Sequence, residues 1–287
     1  MRNTVGERAV EICKIQSVSQ YFPQIDAKDA DAEFYEAVAG NGEDIYGLRR
    51  ENEIVGLCCI ATEADGTAGF LYVYIFPKCR NREHGRAAAE AAEQRMDSPK
   101  LRTITTCWDI RSEAARSFAE ACGYKKEFSS AYMKYQGEAF AEKELPIRRY
   151  QDRDFAEAQR LSAEAFHEMR VSTGCFPDSA PEEPSAEMRR HWADTAEDRY
   201  VYALGDEIVG YAHIDGAELS CVAIKISRQG EGLGREFVRF LVNRLFERGH
   251  REPFLYCVVG NRARHLYESL GFREAACSEY GKKCVKD

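Results

Sequence analysis

The chain has 287 residues, of which 44% are hydrophobic and 31% are charged, and its formal net charge is −8. This length predicts two domains, because one domain usually takes about 100–200 residues. The acidic balance and the lack of any Lys/Arg block argue against a nucleic-acid partner, and no apolar run approaches the roughly 18 residues of a membrane span.

The eleven cysteines are an odd number, and no C-x-x-C pair occurs. Most of them, such as Cys107, Cys221 and Cys257, lie in apolar segments. We therefore expect buried, reduced thiols, with neither a metal site nor a disulfide framework. The N-terminus also lacks the hydrophobic centre of a signal peptide, so we expect a cytoplasmic protein without membrane contact.

Three segments of the first half recur in the second half in the same order. The pairs are E-I-V-G at 53–56 and 207–210, R-E-H-G-R-A at 82–87 and Q-G-E-G-L-G at 229–234, and the segments 112–124 and 261–272. Their separations are 154, 147 and 148 residues, and seven extra residues around 62–68 explain the change from the first to the second. Ordered matches with one local insertion indicate a tandem duplication.

The second repeat shows the predicted elements most clearly. Residues 199–204 and 208–214 flank a G-D-E turn, as in a β-hairpin. The elements that follow are a strand at 218–224, a helix at 234–248, a strand at 253–259 and a helix at 262–270 that ends at Gly271. Glycine commonly follows a helix C-terminus because it tolerates left-handed backbone. We predict domains at 1–138 and 146–287, joined by the polar stretch 137–145.

The loop at 229–234 follows an apolar strand and opens a helix. In that setting consecutive backbone N–H groups and the helix dipole can hold a pyrophosphate. A dinucleotide-binding fingerprint needs a glycine where Arg235 stands, and the G-K-[ST] of a Walker loop is absent, so both nucleotide motifs are excluded. The fainter copy, with Arg82, Gly85 and Ala87, predicts a vestigial cofactor loop in the first repeat.

The run V-A-I-K-I-S-R-Q-G-E-G-L-G, followed by a strand and by A-R-H-L-Y-E-S-L-G-F, resembles the GNAT superfamily of acyl-CoA-dependent N-acyltransferases. The resemblance is clear over roughly 147–280 and weaker over roughly 9–135. It implies an α/β (α+β) fold of two tandem GNAT-like domains, each a mixed, mostly antiparallel central sheet flanked by helices. Acetyl-CoA is the implied co-substrate, without a metal. The tandem plan is similar to that of mycothiol synthases, in which the C-terminal domain is the active one.

The resemblance also assigns a set of cofactor-binding residues. They are Val222, Ala223, Ile224, Arg228, Gln229, Gly230, Glu231, Gly232, Leu233, Gly234, Arg235 and Asn261. The loop amides are expected to hold the pyrophosphate of CoA, and an amide near Val222 is expected to stabilise the oxyanion. Asn261 lies two residues before Ala263, whereas the family usually places it three before, so its contact with the pantetheine arm departs from the pattern.

Amine attack on a thioester calls for a general base, an oxyanion donor and a general acid. Some GNAT members carry a base glutamate eleven residues before the loop, and Glu218 has this spacing. The alternative is a solvated glutamate after a turn. Tyr267 is the candidate acid, and the alternative is core packing beside Leu266 and Leu270. His213 is a second candidate base or a core residue.

The first repeat has Leu71 and Ala119 where the second has these two catalytic candidates, which predicts a non-catalytic domain. We predict a monomeric or homodimeric N-acetyltransferase that transfers acetyl directly, in a ternary complex, to a primary amine of a small molecule or peptide. The alternative is a non-catalytic acyl-CoA-binding or regulatory protein. A Fem-type aminoacyltransferase is disfavoured, because such enzymes do not depend on the intact loop. The acceptor is expected to contact 155–169 and 174–192, where an acidic loop favours a cationic amine.

Overall fold

The structure is a computed structural model that describes residues 10–26, 30–39, 44–63, 66–80, 82–96, 98–175 and 180–285. The chain forms two compact units. The first comprises the chain up to Ser129 together with the stretch from Cys277 onward, and the second comprises Ser130–Ala276. None of the described helices is long and apolar enough to cross a lipid bilayer.

The described residues of the first unit form a mixed sheet with three α-helices. Its elements in chain order are β1 (Glu11–Cys13), α1 (Ala32–Ala39), β2 (Ile45–Arg50), β3 (Glu53–Thr62), β4 (Ala68–Ile75), α2 (Arg82–Arg95), β5 (Thr103–Asp109) and α3 (Glu113–Ala121). Neighbouring strands are antiparallel from β1 to β4, whereas β4 and β5 are parallel. Residues 278–284, from the last strand of the chain, pair antiparallel with β5.

The second unit repeats this plan. Its elements are the end of β6 (Lys125–Tyr135), then β7 (Ile147–Arg149), α4 (Phe155–Thr173), α5 (Ala186–Asp194), β8 (Arg199–Leu204), β9 (Glu207–Asp215), β10 (Glu218–Ile224), α6 (Leu233–Glu247), β11 (Phe254–Val258), α7 (Ala263–Leu270) and the start of β12 (Phe272–Cys284). The strand order is β7-β8-β9-β10-β11-β6, and β10 and β11 are the parallel pair. The predicted fold class is confirmed.

The last strand of each repeat belongs to the sheet of the other unit. Residues 130–134 of β6 pair with β11 in the second unit, and residues 278–284 of β12 pair with β5 in the first. A buried carboxylate fixes the second of these strands, because Glu279 accepts hydrogen bonds from Trp108 (2.8 Å), Arg116 (2.8 Å) and Lys126 (2.6 Å). Burial raises the pKa of this carboxyl, but the three donors outweigh burial and lower it overall. The limits 1–138 and 146–287 for the functional domains stay a prediction.

Helix α6 gives the second unit much of its core. Its fully buried residues recur with helical spacing, as expected for an apolar stripe that faces a sheet, and are Phe237, Val238, Leu241, Val242 and Leu245. Helices α4 and α5 contribute to a separate core cluster, in which Trp192 stacks on Tyr211 with ring centroids 4.4 Å apart. Helix α6 packs in one of these core clusters and helices α4 and α5 in the other, and β10 has residues in both.

Candidate functional site

Strands β10 and β11 separate in the middle of the second unit. They share one register pair, Glu218 with Phe254, and no further pair joins them within the described residues. A register shift in β10 between Leu219 and Cys221 marks a β-bulge immediately after this pair. Bulges bend a strand and are frequent beside active sites. The two strands therefore leave a gap into which a ligand can enter.

The predicted anion loop lies at the end of β10. Gly230 and Gly232 have left-handed backbone (φ 86° and 83°), and Gly232 is the N-cap of α6. The backbone amides of residues 230–234 donate to no protein acceptor within the described part of the chain. No atom lies within 4 Å of the position that a Cβ would take at either glycine. Five free amides before a helix N-terminus form a concave site suited to a phosphate group.

The loop opens onto a cavity of about 500 Å³. The cavity is bounded by α4, β10, the loop, β11 and the start of α7. Eleven residues predicted from the sequence line it, namely Val222, Ala223, Ile224, Arg228, Gln229, Gly230, Gly232, Gly234, Arg235, Asn261 and Tyr267. Across the described residues there is no cluster of three or more His, Cys, Asp or Glu side chains suited to a metal ion.

Three predicted residues do not line the cavity. The Glu231 side chain forms an ion pair with Arg228 (2.9 Å), and Leu233 packs against the core below α6. Both residues lie in the loop, and their backbone amides are free. They could therefore help to bind a phosphate through their main chain alone. The third, Glu218, lies where β10 and β11 are still paired, directly before the lining residues Leu219 and Ser220.

The polar residues around the loop have protein partners of their own. Arg228 also contacts Glu207 at 3.2 Å, and Arg235 donates to the Ser269 hydroxyl at 2.9 Å. Asn261 accepts a hydrogen bond from the backbone N–H of Ala263 at 2.9 Å, in the turn that precedes α7. This bond uses the side-chain oxygen of Asn261 and leaves its amide nitrogen for another contact.

Tyr267 lies on α7 in the wall of the cavity, with the edge of its ring toward Phe272. Burial raises the pKa of its hydroxyl, and the nearby thiols of Cys257 and Cys221 raise it further. No hydrogen bond from the described residues satisfies this hydroxyl. It is therefore protonated at neutral pH and available to a ligand, as a general acid requires.

Other candidate residues fit a catalytic role less well. His213 lies on β9 outside the cavity lining, and burial, followed by the charge of Arg199, lowers its pKa. Cys221 and Cys257 are also absent from the lining, and burial raises the pKa of each thiol to about 11. Protonated thiols are poor nucleophiles, so the geometry does not favour an acetyl-cysteine intermediate.

The sequence assigned the segment 155–169 to the acceptor, but it did not identify which residues of α4 form a wall of the cavity. Ala165, Glu168, Met169 and Ser172 recur at helical spacing and all line the cavity, as does Phe166. Four of them lie within the segment 155–169 that was expected to contact the acceptor, and Ser172 lies just beyond it. The helical spacing was visible in the sequence, but it did not show which face of α4 borders a cavity rather than the core.

The equivalent region of the first unit is nearly filled. Strands β4 and β5 also separate, after Phe70 and Thr105, but the space beyond them measures about 50 Å³. Leu71 and Ala119 are buried there. Helix α2 begins at Arg82, so Gly85 and Ala87, predicted as loop residues, are helical. The side chain of Arg82 lies outside the described residues.

Comparison with known proteins agrees with this geometry. The model of the acetyltransferase (GNAT) family matches residues 11–124 and again residues 166–272. A mycothiol acetyltransferase from Thermomonospora curvata is 28% identical over 249 residues, which are 83% of this chain and 81% of the relative.

Two solved structures share the fold. A GCN5-related N-acetyltransferase from Sphaerobacter thermophilus has a TM-score of 0.62 at 17% identity, over 94% of this chain and 90% of that one. A tandem GNAT protein from the clavulanic acid biosynthesis pathway has a TM-score of 0.60 at 12% identity, over 97% and 99% of the two chains. At these identities the likeness concerns architecture alone.

Proposed function

Since the chain belongs to the acetyltransferase (GNAT) family and is an acyltransferase, we propose that its second repeat transfers the acetyl group of acetyl-CoA to a primary amine. The family match confirms the predicted resemblance and its tandem form. One observation carries the proposal, namely that the loop with free backbone amides and Tyr267 border one cavity between separated strands.

The residues present suit acetyl-CoA as co-substrate. The loop amides and Arg228 would hold the pyrophosphate, and the gap between β10 and β11 would take the pantetheine arm. Backbone near Val222, just after the bulge, would stabilise the oxyanion. Each of these groups is either main chain or a side chain at the cavity wall, so the site needs no rearrangement of the core.

We propose direct transfer in a ternary complex. The neutral acceptor nitrogen bonds to the thioester carbonyl carbon, and Glu218 takes one proton from that nitrogen through water, since its side chain is not part of the cavity wall. The carbon–sulfur bond then breaks, and Tyr267 donates its proton to the departing sulfur. Glu218 releases its proton to solvent, and Tyr267 regains one. The buried, protonated cysteines favour this route over a covalent enzyme intermediate.

We expect Glu218→Gln combined with Tyr267→Phe to reduce acetyl transfer by at least about 100-fold, because general acid and base groups each contribute on this scale. Wild type and double variant are incubated with acetyl-CoA and a library of small amines and peptide N-termini, and acetylated products are measured by mass spectrometry. Full turnover in the double variant would contradict the assignment of catalysis to the second repeat.

We further expect one acetyl-CoA per chain. Helix α2 replaces the anion loop in the first unit, and a Cβ at Gly85 would lie 2.9 Å from the Phe118 ring. The space between β4 and β5 is about one tenth of that between β10 and β11, at about 50 Å³ against about 500 Å³. Isothermal titration calorimetry measures the stoichiometry, and two molecules bound per chain would show that the first unit retains a site.

The second candidate function, non-catalytic acyl-CoA binding, predicts the same stoichiometry but no acetylated product. The position of Tyr267 favours catalysis, since a hydroxyl without a protein partner beside the cofactor gap serves no evident purpose in binding alone. The product screen separates the two functions.

A further inference from the structure

The walls of the cavity carry opposite charges in different places. Arg228 and Arg235 lie beside the anion loop, and Arg262 lies at the start of α7. Glu168, on α4, is the one carboxylate among the described residues that line the cavity. Because CoA is an anion, its phosphates are attracted to the arginine end and repelled from Glu168. The cavity therefore offers arginines of the loop and of α7 to the cofactor and one carboxylate of α4 to a cation.

Glu168 differs from the other carboxylates near the site in having no partner. Glu231 and Glu207 each form ion pairs with Arg228, and Glu157, on the same helix as Glu168, accepts a hydrogen bond from the backbone N–H of Ile208 at 3.2 Å. No ion pair or hydrogen bond joins Glu168 to another residue in the described part of the chain, although the residue is only partly exposed. A partly buried carboxylate without a protein partner is stabilised when a cation binds to it from the cavity.

The neighbours of Glu168 on α4 fit an aliphatic ligand with a polar end. Phe166 and Met169 present apolar surface to the cavity, and Ser172, one helical turn after Glu168, presents a hydroxyl. A flexible thioether and an aromatic ring accommodate a methylene chain, while the carboxylate and hydroxyl can both accept from an ammonium group.

We propose that Glu168 binds a second positive charge on the acceptor, apart from the nitrogen that is acetylated, and that the substrates are therefore amines with a further cationic group. This inference rests on the proposed acetyl transfer, because it assigns the acceptor to the part of the cavity that the cofactor does not use. Glu168 acts here as a specificity-determining residue, while proton transfer stays with Glu218 and Tyr267.

The test measures binding of three probes of similar length to the protein saturated with CoA, which cannot turn over. The probes are cadaverine, with two ammonium groups, pentylamine, with one, and aminovalerate, with one ammonium and one carboxylate. We expect affinity to fall in that order. Glu168→Gln should weaken cadaverine binding about tenfold, in keeping with the strength of a hydrogen bond between charged groups. Glu168→Lys should reverse the order, so that aminovalerate binds best.

Glu164→Gln is the matched control, because Glu164 is exposed on the same helix and does not line the cavity. It should leave all three affinities unchanged. If wild type binds the probes without regard to charge, binds none of them, or is unaffected by Glu168→Gln, the inference is wrong. The affinity for acetyl-CoA, measured on the same variants without CoA, tests the proposed function separately, since loss of Glu168 should not alter it.

Discussion

Gly232→Glu is expected to weaken acetyl-CoA binding by more than about 100-fold, or about 3 kcal/mol. Gly232 has φ 83° and lies at the centre of five free backbone amides. A glutamate there places a negative charge where the pyrophosphate is expected, and like charges in a binding site cost several kcal/mol. Calorimetric titration with acetyl-CoA measures the loss directly.

Gly249→Glu provides a control that separates backbone strain from loss of the site. Gly249 has φ 90°, no atom lies within 4 Å of its Cβ position, and it follows the other end of α6. Both substitutions force a side chain into left-handed backbone, at about 1–2 kcal/mol of folding stability. Thermal unfolding should therefore shift similarly in both variants, while acetyl-CoA affinity falls only in Gly232→Glu. Equal losses of affinity, or undiminished binding by Gly232→Glu, would contradict the site assignment.

Much of the second repeat could be predicted because its signals are local. Nearly continuous apolar runs define β8 and β9 around a two-residue turn, and a left-handed glycine, Gly271 with φ 106°, ends α7. The anion loop was predictable for the same reason, since its glycines are required by backbone geometry rather than by distant contacts. Local rules of this kind need no knowledge of the partner strand.

The exchange of last strands could not be predicted in the same way. Strands β6 and β12 are both long and follow a helix that ends each repeat, so each could complete either sheet. The choice depends on distant contacts such as the buried carboxylate of Glu279, whose donors Trp108 and Lys126 lie more than 150 residues away. A local pattern holds no information about such partners.

Two features of the candidate sites could not be predicted from the anion-loop motif alone. The bulge between Leu219 and Cys221 breaks the alternation of β10, so spacing from the loop did not reveal that the Glu218 side chain is absent from the cavity wall. In the first repeat, the start of α2 at Arg82 turned a loop-like sequence into helix. Gly85 packs closely against Phe118 there, and this packing favours helix over an open loop.

Tyr267→Phe is expected to lower kcat by about 100-fold while leaving acetyl-CoA affinity unchanged, as loss of a general acid should. The substitution keeps the ring that packs edge-on against Phe272 and removes only the hydroxyl. Tyr202→Phe is the matched control, because Tyr202 is buried on β8 against Phe237 and does not line the cavity. Steady-state kinetics and calorimetry on both variants separate catalysis from binding.

The pH dependence gives this prediction a second readout. An acid must carry its proton before transfer, and burial raises the pKa of Tyr267 above the usual value of about 10. Deprotonation of this hydroxyl should therefore not lower kcat at any pH below about 10. A fall of kcat between neutral pH and about pH 10 would have to come from another group. If Tyr267→Phe leaves kcat unchanged, Tyr267 contributes packing and is not the general acid. The acid would then have to be solvent or another hydroxyl residue of the cavity wall, such as Tyr256.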